Sequence, residues 1–189
     1  MQDSQLCPVT AAPPHRDGSE ARWYVMRDLK RPNAKMPAYR SLSAAGMEVF
    51  VPLTRRRGGK GEWEERPLVH GLLFVHARRC ELDPVVGRSA TLQYRYLPRR
   101  YREPMTVPEA DMERFILAVT SSPSFRYYRP EEVTAQMCGR RIRIVGGTLD
   151  GLEGRLLTTR GSKVRRLLVE LPGLLAVGVE VNPDYVQLL

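Results

Sequence analysis

Few side chains in this sequence are of types that perform chemistry, and their spacing argues for contact rather than catalysis. His70 and His76 stand six apart in a stretch, Leu68 to Ala77, that reads as one strand, so both rings project from the same face. A metal pair could start this way, but no third histidine is nearby and the carboxylates cluster elsewhere, so no metal site is expected. Cys80 follows His76 closely, yet a thiol–imidazole pair also needs an orienting third group and a shaped pocket. Gly58-Gly59 and Gly146-Gly147 lack the Gly-x-x-x-x-Gly-Lys-Ser/Thr spacing that cradles phosphates. What remains is basic. Arg55, Arg56, Arg57 and Lys60 share one glycine-rich stretch, and Arg95, Arg99, Arg100 and Arg102 interleave with Tyr94, Tyr96 and Tyr101. Guanidinium groups pair with phosphate in a salt-sensitive, largely sequence-blind way, and tyrosines stack on unpaired bases. A solvated loop and a tyrosine-padded sheet edge account for the same two clusters. The chain reads as a binder with no cofactor, not as an enzyme.

Composition agrees with a binder. The net charge is +9 over 189 residues, and most of the excess lies in residues 21–123, where a polyanion or an acidic protein surface is attracted. At 42% hydrophobic and 27% charged residues the composition is that of an ordinary soluble protein. No apolar run approaches the roughly 18 residues of a membrane span, so no membrane partner is expected. Residues 1–20 carry Pro8, Pro13, Pro14 and Gly18 without a secretory signal pattern, and read as a disordered tail. Cys7, Cys80 and Cys138 are odd in number with no Cys-x-x-Cys pair, which points to a reducing cytoplasm.

The elements that must position these clusters follow from periodicity. Arg22-Trp23-Tyr24-Val25-Met26 is an aromatic, β-favouring run, and Pro37 to Ala45 is a helix with Pro37 in its first turn and Gly46 past its end. Met47 to Leu53 and Leu68 to Ala77 read as strands flanking Thr54 to Glu65, whose glycines and charges suggest an exposed, mobile hairpin tip. Glu81 to Arg88 reads as a short helix limited by Pro84, and Thr91 to Leu97 as an alternating strand. Pro108 to Val119 is the clearest helix, with Met112, Phe115, Ile116 and Val119 on one stripe that packs against a sheet. Beyond a connection, Arg141 to Ile144 alternates as a half-buried strand and runs into glycines at 146, 147, 151 and 154. Arg166 to Leu171 and Ala176 to Val181 follow, split by Pro172-Gly173. Short strands and frequent turns suggest a small β-barrel.

That final stretch, from Arg141-Ile142-Arg143-Ile144 through Gly151-Leu152-Glu153-Gly154, resembles a KOW motif, the SH3-like barrel of NusG-type transcription factors and some ribosomal proteins. The front of the chain separates the two. Trp23-Tyr24-Val25, then a helix, then Val51-Pro52, then Leu68-Val69-His70-Gly71-Leu72-Leu73-Phe74-Val75 is similar to the ordered series of the NusG N-terminal domain. The resemblance covers about residues 22–189 and is closest to specialised paralogues of the UpxY type, antitermination factors of capsular-polysaccharide loci. It implies an α+β fold, with an N-terminal antiparallel sheet flanked by helices over 21–123, a linker over 124–137 and an SH3-like barrel over 138–189. It further implies that Tyr24, Val51, Pro52, Val69, His70, Gly71 and Leu72 line an apolar concavity gripping the clamp helices of RNA polymerase. Where the general family has Phe-Pro-Gly-Tyr, this chain has Val69-His70-Gly71-Leu72, without the aromatic anchors. The basic residues Arg55, Arg56, Arg57 and Lys60 are candidates for contact with DNA or nascent RNA. The barrel, its core drawn from Leu149, Leu152, Leu156, Leu167, Val169 and Val179, would turn Arg155, Arg160, Lys163, Arg165 and Arg166 toward a ribosomal protein, Rho or RNA. The alternative expectation is a KOW-containing protein of the ribosome or its assembly; an unrecognised barrel enzyme is a more distant one.

Overall fold

The computed structural model describes residues 20–32, 34–59, 61–98, 100–122, 125–157 and 164–189. The expected tail falls almost entirely outside them. Along the first half run β1 (Arg22–Asp28), α1 (Ala38–Ala44), β2 (Glu48–Phe50), β3 (Leu53–Arg57), β4 (Trp63–Pro67), β5 (Leu72–Ala77), α2 (Arg79–Arg88), β6 (Leu92–Tyr94), β7 (Thr106–Val107) and α3 (Glu109–Ser121). β1, β2, β5, β6 and β7 build an antiparallel sheet in the order β2-β5-β1-β6, with β7 also on β1, while β3 and β4 pair with each other. β1 and β5 are central and buried on both faces, which is why each reads as a nearly continuous apolar run.

The pleat sends alternate residues to two different layers. Tyr24, Met26, Leu73 and Val75 pack with Ala38, Leu42 and Leu82 of α1 and α2. Trp23, Val25, Leu72 and Phe74 face the other way, into a cluster with Met112, Phe115 and Ala118 of α3. The start of α3 is tied to this face by polar contacts. Trp23 Nε1 donates to Glu109 at 3.2 Å, and the Trp23 ring stacks on His76 at 5.0 Å. His76 in turn lies 2.7 Å from Glu48 and 3.4 Å from Glu109. On the opposite layer the Tyr94 hydroxyl donates to Asp83 at 2.7 Å. Burial first, and that carboxylate second, push the phenol well above its usual range.

The second half contains β8 (Phe125–Tyr128), β9 (Cys138–Ile144), β10 (Glu153–Leu157), β11 (Arg166–Leu171), β12 (Leu175–Glu180) and β13 (Val186–Leu188). Their sheet is antiparallel throughout, in the order β13-β9-β10-β11-β12-β8. Ile142 and Ile144 are buried between exposed Arg141 and Arg143, as the alternation requires. Leu149, Leu152, Leu167, Val169 and Val179 are buried, whereas Leu156 is only partly so. Arg155 and Arg165 are exposed and Arg166 half-buried, while Arg160 and Lys163 lie outside the described residues. The apolar cluster does not stop between the halves. It runs from Val25 and Phe74 through Phe115 of α3 into Ile142, Leu167, Val169 and Val177, and α3 packs on β11 and β12.

Several expected boundaries change. Four residues of the segment 124–137, expected as linker, are strand β8, because Phe125, Tyr127 and Tyr128 complete the edge of β12. Met47 to Leu53 is broken at Val51-Pro52, and β3 starts afresh at Leu53. The strand expected from Leu68 begins at Leu72, since Gly71 takes φ +72° and turns the chain. His70 therefore sits in the turn and His76 in β5, and the expected histidine pair on one strand does not form.

Candidate functional site

Thr54 to Glu65, expected as a mobile tip, is mostly a two-stranded arm. β3 and β4 pair from Leu53↔Pro67 to Arg57↔Trp63, and only the turn near Gly58 to Glu62 is left as tip, with Gly58 N–H donating to the Glu62 carbonyl at 2.8 Å. Facing charges on the two strands are complementary: Arg55 stands opposite Glu65 at 3.5 Å, a favourable cross-strand pair. Arg66 binds Glu64 at 2.7 Å on the other face. At the end of the arm the Arg57 guanidinium lies over the Trp63 ring, 5.6 Å from its centroid. Arg55 and Arg57 are exposed; Lys60 and the side chain of Arg56 lie outside the described residues.

Where the arm rejoins the sheet, the turn from Leu68 to Gly71 is held against the end of β1. Leu68 N–H donates to the Pro52 carbonyl at 2.8 Å, and Asp28 N–H to the Gly71 carbonyl at 2.7 Å. Only glycine fits there, because a Cβ on residue 71 would lie 2.5 Å from the Asp28 carbonyl oxygen and φ is positive. Asp28 itself is buried, and each of its carboxylate oxygens accepts one backbone N–H. It accepts Lys30 N–H at 3.0 Å and Ala38 N–H at 2.7 Å, so it caps α1 from a distance where Pro37 offers no side-chain cap.

These elements enclose a cavity of about 450 Å³ between the 29–37 loop, α1 and the base of the arm. Val51, Leu72 and Leu73 give it apolar surface, Lys30, Arg31, Arg40 and Arg66 give it cations, and His70 adds an imidazole. Among the described residues Arg31 and Arg40 form no ion pair, whereas Glu64 and Glu65 are already taken by Arg66 and Arg55. Such a surface can hold an acidic or phosphate-bearing chain beside apolar groups.

Of the residues expected to line one concavity, the structure brings Val51, His70, Gly71 and Leu72 to this cavity. Val69 is half-buried against the α3-side cluster, and Pro52 is buried at the break between β2 and β3. Tyr24 is 5% exposed, packs in the α1–α2 layer with Val51 and Leu73, edge-on to Tyr94 at 5.6 Å, and does not line the cavity. Sequence reasoning missed the cationic rim of Lys30, Arg31 and Arg40. Its signal was the cluster of Pro32, Pro37 and basic residues directly after the first strand.

Comparison with known proteins matches residues 21–116 to the family model described as transcription termination factor NusG. No curated protein matches. Among solved structures, one concerned with domain interaction in Thermotoga maritima NusG is similar at 15% identity, covering 90% of this chain and 98% of that one, with a TM-score of 0.46. No helix among the described residues is long and apolar enough to cross a membrane. With the family match taking in half of the chain, from β1 through the arm and into α3, this protein belongs to the NusG family of transcription termination and antitermination factors, which is not an enzyme family.

Proposed function

We propose that this chain is a specialised NusG-family antitermination factor of the UpxY type, binding the clamp helices of RNA polymerase and keeping transcription processive over a polysaccharide-biosynthesis operon. The observation that carries the reading is the family match over residues 21–116, a span that includes Val51, Pro52 and Val69 to Leu72. NusG-family proteins interact with RNA polymerase. The cavity beside the Leu68–Gly71 turn supports the same reading: its apolar wall of Val51 and Leu72, with Arg31 and Arg40 at the rim and in no ion pair among the described residues, suits a helix carrying apolar knobs beside acidic residues. Leu72 is 7% exposed, so it supports the wall more than it presents a surface. Tyr24 acts through the core that holds β1 beneath the turn. In this reading the arm meets DNA or nascent RNA, residues 21–123 form the polymerase-binding domain, and the second sheet is a KOW domain that reaches a ribosomal protein or Rho.

The test uses exposed residues, so that folding is spared. His70→Glu together with Arg40→Glu puts two carboxylates at the rim, one of them in place of a cation, and should weaken retention of the full chain on an isolated clamp-helix fragment by about 10-fold. Binding equal to the unmodified chain would remove the cavity from the interface. Co-purification with ribosomes in place of polymerase would favour the ribosomal alternative.

A further inference from the structure

The end of the β3–β4 arm presents an exposed indole whose ring, among the described residues, is met by the Arg57 guanidinium alone. Trp63 is 66% exposed, although tryptophan is large and apolar. Its cross-strand partner is Arg57, whose guanidinium covers the ring at 5.6 Å from the centroid. Because facing residues share a side of the ladder, Arg55, Arg57, Trp63 and Glu65 form one face of the arm, and Arg66 and Glu64 lie on the other. On the tryptophan face Glu65 is the strand's carboxylate, and it is engaged by Arg55. Arg57 has no ion pair among the described residues.

We propose that Trp63, backed by Arg57, is a stacking platform for an unpaired base of single-stranded nucleic acid. The inference rests on the reading that the arm meets nucleic acid, and adds to it the residue that reads base in addition to backbone. A guanidinium on one side of the indole limits its rotation and leaves ring surface open to solvent. A base is a flat π-surface attached to a phosphate, so it satisfies the indole and an arginine of the same face together. A duplex offers phosphates but keeps its bases stacked inside, so it should engage the arginines and not the indole. An apolar protein groove would accept the indole but would leave Arg57 desolvated and unpaired. That disfavours a protein partner at this spot.

The sequence supplies the probe for the test. It contains two tryptophans, and Trp23 is 3% exposed, so solvent-sensitive fluorescence of the full chain reports Trp63. Titration with a mixed-sequence single-stranded DNA 12-mer and with the same sequence as RNA should quench the exposed signal. Duplex DNA and an abasic oligonucleotide should leave it nearly unchanged. Comparing the DNA and RNA arms identifies whether a displaced strand or a transcript is the better ligand. Trp63→Leu should lower affinity for the single strands by about 5- to 150-fold, the range of one stacked base, with the salt slope retained. Trp63→Phe should recover much of it. Wild-type affinity in Trp63→Leu, combined with weakened binding in Arg55→Ser/Arg57→Ser, would overturn the platform and leave the phosphate-contact reading standing. Absence of any oligonucleotide binding by the unmodified chain would sink both. Shielding of Trp63 by polymerase core enzyme free of nucleic acid, equal to that by single strands, would assign the indole to a protein contact and overturn the proposal.

Discussion

Gly71 shows how one residue couples the site to the sheet. Its positive φ turns the chain out of the arm and into β5, and its missing side chain lets the turn close on the Asp28 carbonyl. Asp28 also caps α1 and orders the 29–37 loop, so three walls of the cavity meet at one backbone contact. Gly71→Ala should therefore cost about 2–4 kcal/mol in urea unfolding, combining a left-handed backbone with a clash against backbone atoms that cannot rotate away. Gly46→Ala is the control: it also has positive φ, but a Cβ there meets nothing within 4 Å, and its cost should stay near 1 kcal/mol. Equal costs would mean the turn shifts freely and does not set the cavity. The glycine was visible in the sequence as part of a family-like stretch. Its partner was not, because a carbonyl 43 residues away leaves no compositional trace.

At the level of elements, the arm is where charge is organised into a shape. Its arginines stand on a paired ladder, so phosphate contacts made by Arg55 and Arg57 should fall on one face, two residues apart. Replacing both with serine should flatten the log–log salt dependence of binding to a paused elongation complex by about two units. The same variant should keep its binding to isolated clamp helices, which contain no phosphate. Loss in both assays would mean that the arm supports the cavity wall, to which its base contributes Glu64, Glu65 and Arg66. The arm also marks the limit of sequence reading. β1, α1, α2, α3 and the buried strands of the second sheet were legible because apolar periodicity records burial. β3 and β4 bury little, and their composition of glycine, arginine and glutamate mimics a solvated loop. Only the opposition of Arg55-Arg56-Arg57 to Glu64-Glu65 across a glycine turn carried the ladder. The division of the expected concavity between two faces was hidden for a different reason. Tyr24 and Leu72 both sit in apolar runs buried on both sides, and such runs give no sign of which layer a residue enters.

Across the whole molecule, α3 belongs to both halves. It closes one face of the first sheet and packs on β11 and β12 of the second, so a cut in the connection separates surfaces that share a core. The position of β8 sharpens the consequence. Phe125 to Tyr128 pairs along β12 from Val179 to Ala176, and the Tyr128 ring lies close enough to Gly178 that a Cβ there would sit 2.9 Å from it. Phe125 and Tyr127 join the main cluster, while Tyr128, Val133 and Met137 cover Leu157, Leu168 and Ala176 on the other face. A fragment of residues 125–189 should therefore fold alone, as an autonomous second domain requires, but with lower stability than in the full chain. A fragment of residues 138–189 loses the strand and the cover together. It should be at least about 2 kcal/mol weaker still, since several large side chains no longer leave water. Chemical denaturation followed by circular dichroism gives the ranking. Adding residues 20–122 in trans should then raise the melting temperature of the 125–189 fragment if the α3 interface is strong enough to form without the chain connection. Equal stability of the two C-terminal fragments would show that β8 is a passenger on the sheet and return residues 124–137 to the role of a simple linker.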